Sequence, residues 1–288
     1  MSLDPEALRL RATLLRAVRS WFDAHGYLEV PTPVMVPSPA LEASLVAFAV
    51  SSGPQFLRTS PELALKRVLA AGLPRIVELG PCFRDEEHGD WHRGEFWMCE
   101  WYRAGASLPD LMAEVRSLID AVAHALGVVG PQAWTRHQVR TLFADVTGLD
   151  LHTASAADLS SHGEDWDTAF FRRWVEQIEP TLTEPCFVEA WPASQAALAT
   201  VRTDSEWAYA ERFEVFMGGV ELANAFQELA DPHELRRRWA ESDHPVDELF
   251  LAQVAKMPRT AGIALGLDRL LAVLMGWSEI GPGRVERN

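Results

Sequence analysis

Cysteine is scarce: Cys82, Cys99 and Cys186 are the only three in 288 residues, and no two share a Cys-x-x-Cys spacing. That argues against a disulfide scaffold or a cysteine-rich zinc cluster and makes a reducing cytosol the expected compartment. Positive charge is also in short supply. There are 26 basic residues against 41 acidic ones, a formal net charge of −15. Non-specific nucleic-acid binding runs on lysine and arginine contacts to phosphate, so tRNA is not an expected partner. No run of about 18 apolar residues occurs, so no membrane span is expected. The amino terminus, MSLDPEALRLRATLL, is charged and amphipathic, and no signal peptide is expected there. The length is enough to bury a full core.

What the chain does have is concentrated in residues 76–103, IVELGPCFRDEEHGDWHRGEFWMCEWYR. Ile76 to Phe83 and Glu95 to Tyr102 have strand composition, joined by a charged segment from Arg84 to Gly94. Alternation along the second strand puts Phe96, Met98, Glu100 and Tyr102 on one face. A carboxylate and a phenol on an otherwise apolar face need partners, and a cationic ligand is one candidate. Arg84, just past the first strand, is placed to take a phosphate or carboxylate with two hydrogen bonds. The alternative is an ordinary hairpin with a solvated loop.

Around this hairpin, residues 5–25 read as a helix capped by Asp4 and ended by Gly26, followed by the extended Pro31-Thr32-Pro33. Thr59 or Ser60 is expected to cap a helix running to about Ala71 that carries Glu62 in its first turn. Pro109–Leu126 is a further amphipathic helix. Residues 127–185 suggest two or three short helices and no chemistry, and His124, His137, His152 and His162 lack metal-ligand spacing. Gly218-Gly219 marks a tight hairpin between 211–217 and 220–229. Pairing 217 with 220 and 216 with 221 places 214 opposite 223, with Glu214 and Glu221 on one face within reach of a shared cation. Asn224 and Glu228 fall on the opposite parity, so a bulge or bend between 221 and 224 is required if all four share a pocket. Otherwise the hairpin is a two-faced acidic surface. Near the carboxyl end, 262–267 reads as a strand and turn, with Asp268 expected to cap the next helix. Arg269 sits in its first turn, where the helix dipole disfavours a cation. A phosphate there, or a salt bridge to Asp268 or Glu62, would account for it.

FRDEEHGDWHRGEFWMCEWYR resembles motif 2 of class II aminoacyl-tRNA synthetases in the lysine-specific form, GYLEVPTPVM (26–35) resembles motif 1, and GIALGLDRLL (262–271) motif 3. With TSPELALKR (59–67), PASQAAL (192–198) and ERFEVFMGGVELANAFQEL (211–229), the chain is most similar to the truncated lysyl-tRNA synthetase paralogues that attach β-lysine to elongation factor P. The resemblance implies an α+β fold, an antiparallel sheet flanked by helices, as a single catalytic domain over 1–288 without an anticodon-binding domain, in a cytoplasmic homodimer built on motif 1. It implies use of ATP and Mg²⁺ to make an acyl-adenylate of lysine or β-lysine. By match to the motifs, Arg84 and Arg269 grip phosphates and are catalytic, Glu86 and His92 lie along the nucleotide, Phe96 stacks on adenine, and Glu214 and Glu221 hold Mg²⁺. Glu62 faces the amino group near the substrate carboxylate, and Glu100, Tyr102, Asn224 and Glu228 surround the distant ammonium. Ser60 and Ala264 stand where lysyl-tRNA synthetases usually have Ala and Gly, and the added methyl at 264 suits an amino group moved to the β carbon.

The chain departs from the pattern at Asp85, Arg93-Gly94, Trp97 and Ala225. Two other functions fit the same residues: a lysyl-adenylate-forming enzyme with another acceptor, either tRNA or a different protein, and a non-catalytic amino-acid sensor.

Overall fold

Asp4 starts the first helix, α1 (Pro5–Ala24), by accepting the amide protons of Glu6 and Ala7. Gly26, at φ 71°, turns the chain out of it into β1 (Leu28–Glu29). The structure, a computed structural model, describes residues 4–39, 45–50, 53, 55–85, 89–160, 162–204, 207–240 and 244–285. β2 (Met35–Val36), β3 (Ala49–Val50) and β4 (Gln55–Leu57) form a small separate sheet. Helix α2 (Glu62–Ala70) follows; its N-cap position is Pro61, so neither Thr59 nor Ser60 is the cap, although the amide of Glu62 donates to Ser60 Oγ at 3.0 Å.

β5 (Arg75–Phe83) and β6 (Glu95–Ala104) pair antiparallel over their full length, and α3 (Leu108–Leu126) runs back. The segment that gave little sequence signal contains β7 (Thr135–Gln138), α4 (Val139–Thr147), α5 (Ala156–Leu159), α6 (Trp166–Arg173) and a π-helical turn at Trp174–Ile178. β7 has no apolar alternation because it is an exposed edge strand, which needs only its backbone to pair. Then come β8 (Cys186–Pro192), β9 (Val201–Thr203), β10 (Ala208–Met217), β11 (Val220–Gln227), α7 (Pro232–Trp239), α8 (Glu248–Val254), β12 (Thr260–Gly266) and α9 (Leu267–Met275).

Among the described residues nine strands form the main sheet, in the order β1-β5-β6-β12-β11-β10-β8-β7 with β9 on β10. The sheet is antiparallel except at its two ends, where β1 pairs with β5 and β7 with β8 in parallel. One face is covered by α1, α3 and α9, over a core that holds Cys99 and Trp101 of β6, Ile263 and Leu265 of β12, and Phe213 and Val215 of β10. A second core, with Trp174, Trp191, Phe216 and Trp239, packs part of the other face. The rest of that face is open.

The β10–β11 hairpin turns on Gly218 and Gly219, both with positive φ (65° and 74°), as a two-residue turn of this hand requires. Met217 pairs with Val220 and Phe216 with Glu221 as expected, but Glu214 faces Asn224, not Ala223. Leu222 is the extra residue of a bulge. Leu222 and Ala223 therefore both enter the helix-side core, and Glu221 and Asn224 both line the open face. The bulge required between 221 and 224 is present. Glu214 and Glu228 are only 6% and 5% exposed, which rules out a surface hairpin.

Asp268 is not a helix cap. Gly266 occupies that position, and the Asp268 carboxylate is buried, accepting from the Trp97 amide at 2.8 Å and pairing with Arg11 of α1 and with Arg284 at 3.0 Å. It braces α1, β6 and the C-terminal segment against one another.

Candidate active site

The open face of the sheet holds a cavity of about 860 Å³. Its floor is the alternate residues Phe96 and Met98 of β6 and Ala264 and Gly266 of β12, and its walls carry Arg84, His92, Arg212, Glu214, Glu221, Asn224 and Arg269. The arginines come from three places in the sequence, and folding brings them to one cavity of an otherwise acidic protein. Arg84 lies with its guanidinium 5.1 Å from the centroid of the Phe96 ring. Arg269 donates to the carbonyls of Trp91 (3.2 Å) and Glu221 (2.8 Å), lies 2.7 Å from His92 Nε2, and has Glu221 Oε2 at 3.5 Å. Its carboxylate partner is thus Glu221, neither Asp268 nor Glu62. Glu86 lies outside the described residues.

Glu214 and Glu221 share a face, as the hairpin register demands, and each has an arginine beside it: Arg212 pairs with Glu214, and Arg269 with Glu221. Arg212 is itself buried, stacked 4.7 Å from the Trp191 ring centroid. Burial first, then the charge of Glu221, pushes the Glu214 carboxyl well above the usual range. Glu179 follows the same logic: burial and Glu221 push it up to about 7. Carboxylates that raise one another in this way leave room for another cation. Among the described residues no group of three His, Cys, Asp or Glu is arranged as a complete metal cage. Two carboxylates suit Mg²⁺, which takes its remaining ligands from water and substrate phosphates.

Ser60, Glu62, Glu100, Tyr102 and Glu228 do not line the open cavity. They form a cluster adjoining it at Ala264, which pairs with both Glu100 and Asn224 across the sheet; Glu100, Tyr102 and Glu228 are buried, Ser60 and Glu62 partly so. Glu100 accepts hydrogen bonds from Tyr102 Oη (2.6 Å) and Ser60 Oγ (2.8 Å). Lys66, on α2, lies 2.6 Å from Glu62 Oε1 and 2.5 Å from Glu228 Oε2. Glu228 Oε1 and Asn224 Oδ1 are buried and, among the described residues, accept no hydrogen bond. Buried acceptors of this kind are costly unless a ligand donates to them.

Desolvation, then the charge of Glu62, pushes Glu100 up to about 8; desolvation likewise pushes Glu228 up to about 8, with Lys66 opposing. An unfolded carboxyl ionises near 4.5, whereas these keep their protons to about 8. The folded chain therefore binds more protons across that window, and its stability falls as pH rises through it. The expected result in calorimetry is a melting temperature that drops on the order of 5 °C from about pH 5 to about pH 8 and drops less in Glu228→Gln. A melting temperature that rises over this range would overturn the assignment.

Residues 5–282 match the family described as tRNA synthetases class II (D, K and N). The chain belongs to that family. It is 39% identical over 293 residues to the elongation factor P–(R)-β-lysine ligase of Edwardsiella ictaluri, covering 92% of this chain and 90% of that one. It is 36% identical to the ligases of the same name from Photorhabdus laumondii (92% and 90% covered) and Vibrio cholerae (95% and 92%). Membership explains why the antiparallel sheet with motif 2 at β5–β6 and motif 3 at β12–α9 surrounds the cavity. In this class II protein, three residues of the site carried no role in the sequence reading. Lys66 stands four residues after Glu62, a helical pair spacing that signals the contact. Arg212 stands two before Glu214, on the same strand face. Glu179 lies in the segment without periodicity, and no sequence signal marks it.

Proposed function

We propose that this chain is an ATP-dependent ligase that activates lysine or β-lysine as the acyl-adenylate and passes the acyl group to a lysine side chain of elongation factor P. The observation that carries the amino-acid class is the carboxylate cluster of buried Glu100 and Glu228 with the partly buried Glu62, with open acceptors on Glu228 and Asn224, set against an arginine-lined cavity. Carboxylates buried beside a cavity call for an ammonium ligand. In the first step the substrate carboxylate attacks the α-phosphorus of ATP and pyrophosphate leaves. In the second the acceptor amine attacks the acyl carbonyl and AMP leaves. The protein contributes position and charge rather than proton transfer. Arg84 holds the α-phosphate and substrate carboxylate, Arg269 the γ-phosphate, and His92 and Phe96 the nucleotide. Glu214 and Glu221 would hold Mg²⁺, which would supply neutralisation of phosphate charge.

(R)-β-Lysine appears in the names of the relatives, and Ala264 supports it here. Its methyl stands on the pocket face between Asn224 and Glu100. The test is intact mass of elongation factor P after incubation with the protein, ATP, Mg²⁺ and either lysine isomer. Modification with β-lysine is expected to exceed that with α-lysine by at least about 10-fold, and Ala264→Gly is expected to narrow the ratio. Modification with α-lysine alone would sink the Ala264 argument, and absence of both adduct and AMP would sink the ligase. The resemblance also implies a homodimer through α1 and β1. Leu28 and Met35, about half exposed, offer apolar surface for it, and light scattering reads the mass directly.

A further inference from the structure

Lys66 is fully buried, and its Nζ sits between two carboxylates from different elements, Glu62 of its own helix and Glu228 at the end of β11. Its identity is notable against the rest of the chain. Of 26 cationic residues only two, Lys66 and Lys256, are lysine; the others are arginine. Lys256 is exposed. The position that must fit a compact ammonium between buried Glu228 and partly buried Glu62 is the one inside the fold that is not arginine, and a planar guanidinium does not replace a point charge there.

The groups facing Lys66 can be counted. α2 supplies Glu62, β6 supplies Glu100 and Tyr102, Glu228 follows directly on β11, and Ser60, just ahead of α2, donates to Glu100. With every carboxylate ionised, three negative charges face one positive charge, leaving two negative charges uncompensated. Lysine and β-lysine each carry two ammonium groups. We propose that Lys66 is a built-in ammonium that ties Glu62 to Glu228 and sets the charge of this pocket, so that it accepts an amino acid carrying two ammonium groups. The inference rests on the activation of a lysine-type substrate proposed above and adds a positioning residue to it.

The chemistry of Lys66 suits such a role. Burial alone would lower the proton affinity of the ammonium, but Glu228 and Glu62 outweigh it and hold the group above its ordinary value. An ammonium held in its protonated form by two carboxylates is a poor nucleophile, which protects the acyl group activated next to it from capture. Its contacts with both also tie Glu62 to Glu228 when the pocket is empty.

The experiment measures amino-acid-dependent pyrophosphate exchange for the wild type and Lys66→Met, varying β-lysine, ATP and pH. In Lys66→Met the KM for the amino acid is expected to rise at least about tenfold, with the KM for ATP within about twofold of wild type. Loss of the cation is also expected to move the pH profile of kcat/KM for the amino acid upward by about one unit, because the carboxylates then ionise less readily. Lys66→Arg is expected not to restore the wild-type KM. An unchanged amino-acid KM with an unchanged pH profile would overturn the role of Lys66 while leaving the ligase intact. Failure of the wild type to exchange with either lysine isomer would instead overturn the activation reading. A second measurement does not depend on a variant that folds. With only two lysines, protein carrying ¹⁵N at Nζ gives two ammonium signals. The buried one is expected to exchange slowly with water and to shift on adding β-lysine but not ATP alone; a buried signal indifferent to the amino acid would refute the proposal.

Discussion

Gly262→Ala is expected to reduce amino-acid activation by about 100-fold or more, with most of the loss in the KM for the amino acid. Gly262 stands on β12 between Phe226 and Tyr102, on the face that carries Ala264 and Gly266. A methyl group at 262 would overlap both the Tyr102 ring and Glu228 Oε1. Neither neighbour can retreat cheaply. Tyr102 is buried and its hydroxyl donates to Glu100, and Glu228 is held by Lys66. The row of small residues at 262, 264 and 266 is what keeps the sheet floor low enough for a ligand to reach the carboxylates. Overpacking also costs about 1–3 kcal/mol of stability, so the informative comparison is kcat/KM per folded molecule against the melting temperature. A variant that melts lower but activates lysine normally would show that Gly262 serves packing alone.

Arg269→Ala is expected to lower kcat for pyrophosphate exchange by about 100- to 1000-fold, the cost of removing one donor aimed at developing charge. Its position in the first turn of α9 is unfavourable for a cation in the absence of an anion. The structure keeps it there by hydrogen bonds to the carbonyls of Trp91 and Glu221 and a contact with His92. The guanidinium thus links the motif 2 loop, the acidic hairpin and motif 3. Arg269→Lys is expected to remain impaired, since a point charge cannot make these divergent contacts together. Steady-state kinetics with ATP varied would check this. A kcat within about fivefold of wild type would remove Arg269 from the chemistry.

Sheet-face assignments were legible from strand alternation alone. Phe96, Met98, Glu100 and Tyr102 turn to one side because period two leaves no other arrangement once Cys99 and Trp101 bury under the helices. The bulge was legible as a requirement, because parity separates Glu221 from Asn224. Its place at Leu222 was not, because that depends on which residues the helix-side core accepts. The sequence makes Asp268 look like a cap because first-turn acids usually serve the helix end. Here Arg11 and Arg284, distant in sequence, claim the carboxylate for a cross-brace.

By itself the sequence determined the strand and helix types, the turn at Gly218-Gly219, and which residue types stand at the motif positions, since these rest on local propensity and periodicity. Only the tertiary structure decided the partners of the charged groups: Glu221 for Arg269, Arg212 for Glu214, and Lys66 between Glu62 and Glu228. Charge pairing across α2, β6 and β11 depends on the strand order and on what each face buries, and in a low-dielectric interior a displacement of a few ångströms determines which pair forms. The anionic pocket is therefore a property of the fold, assembled from residues whose spacing along the chain does not reveal that they meet.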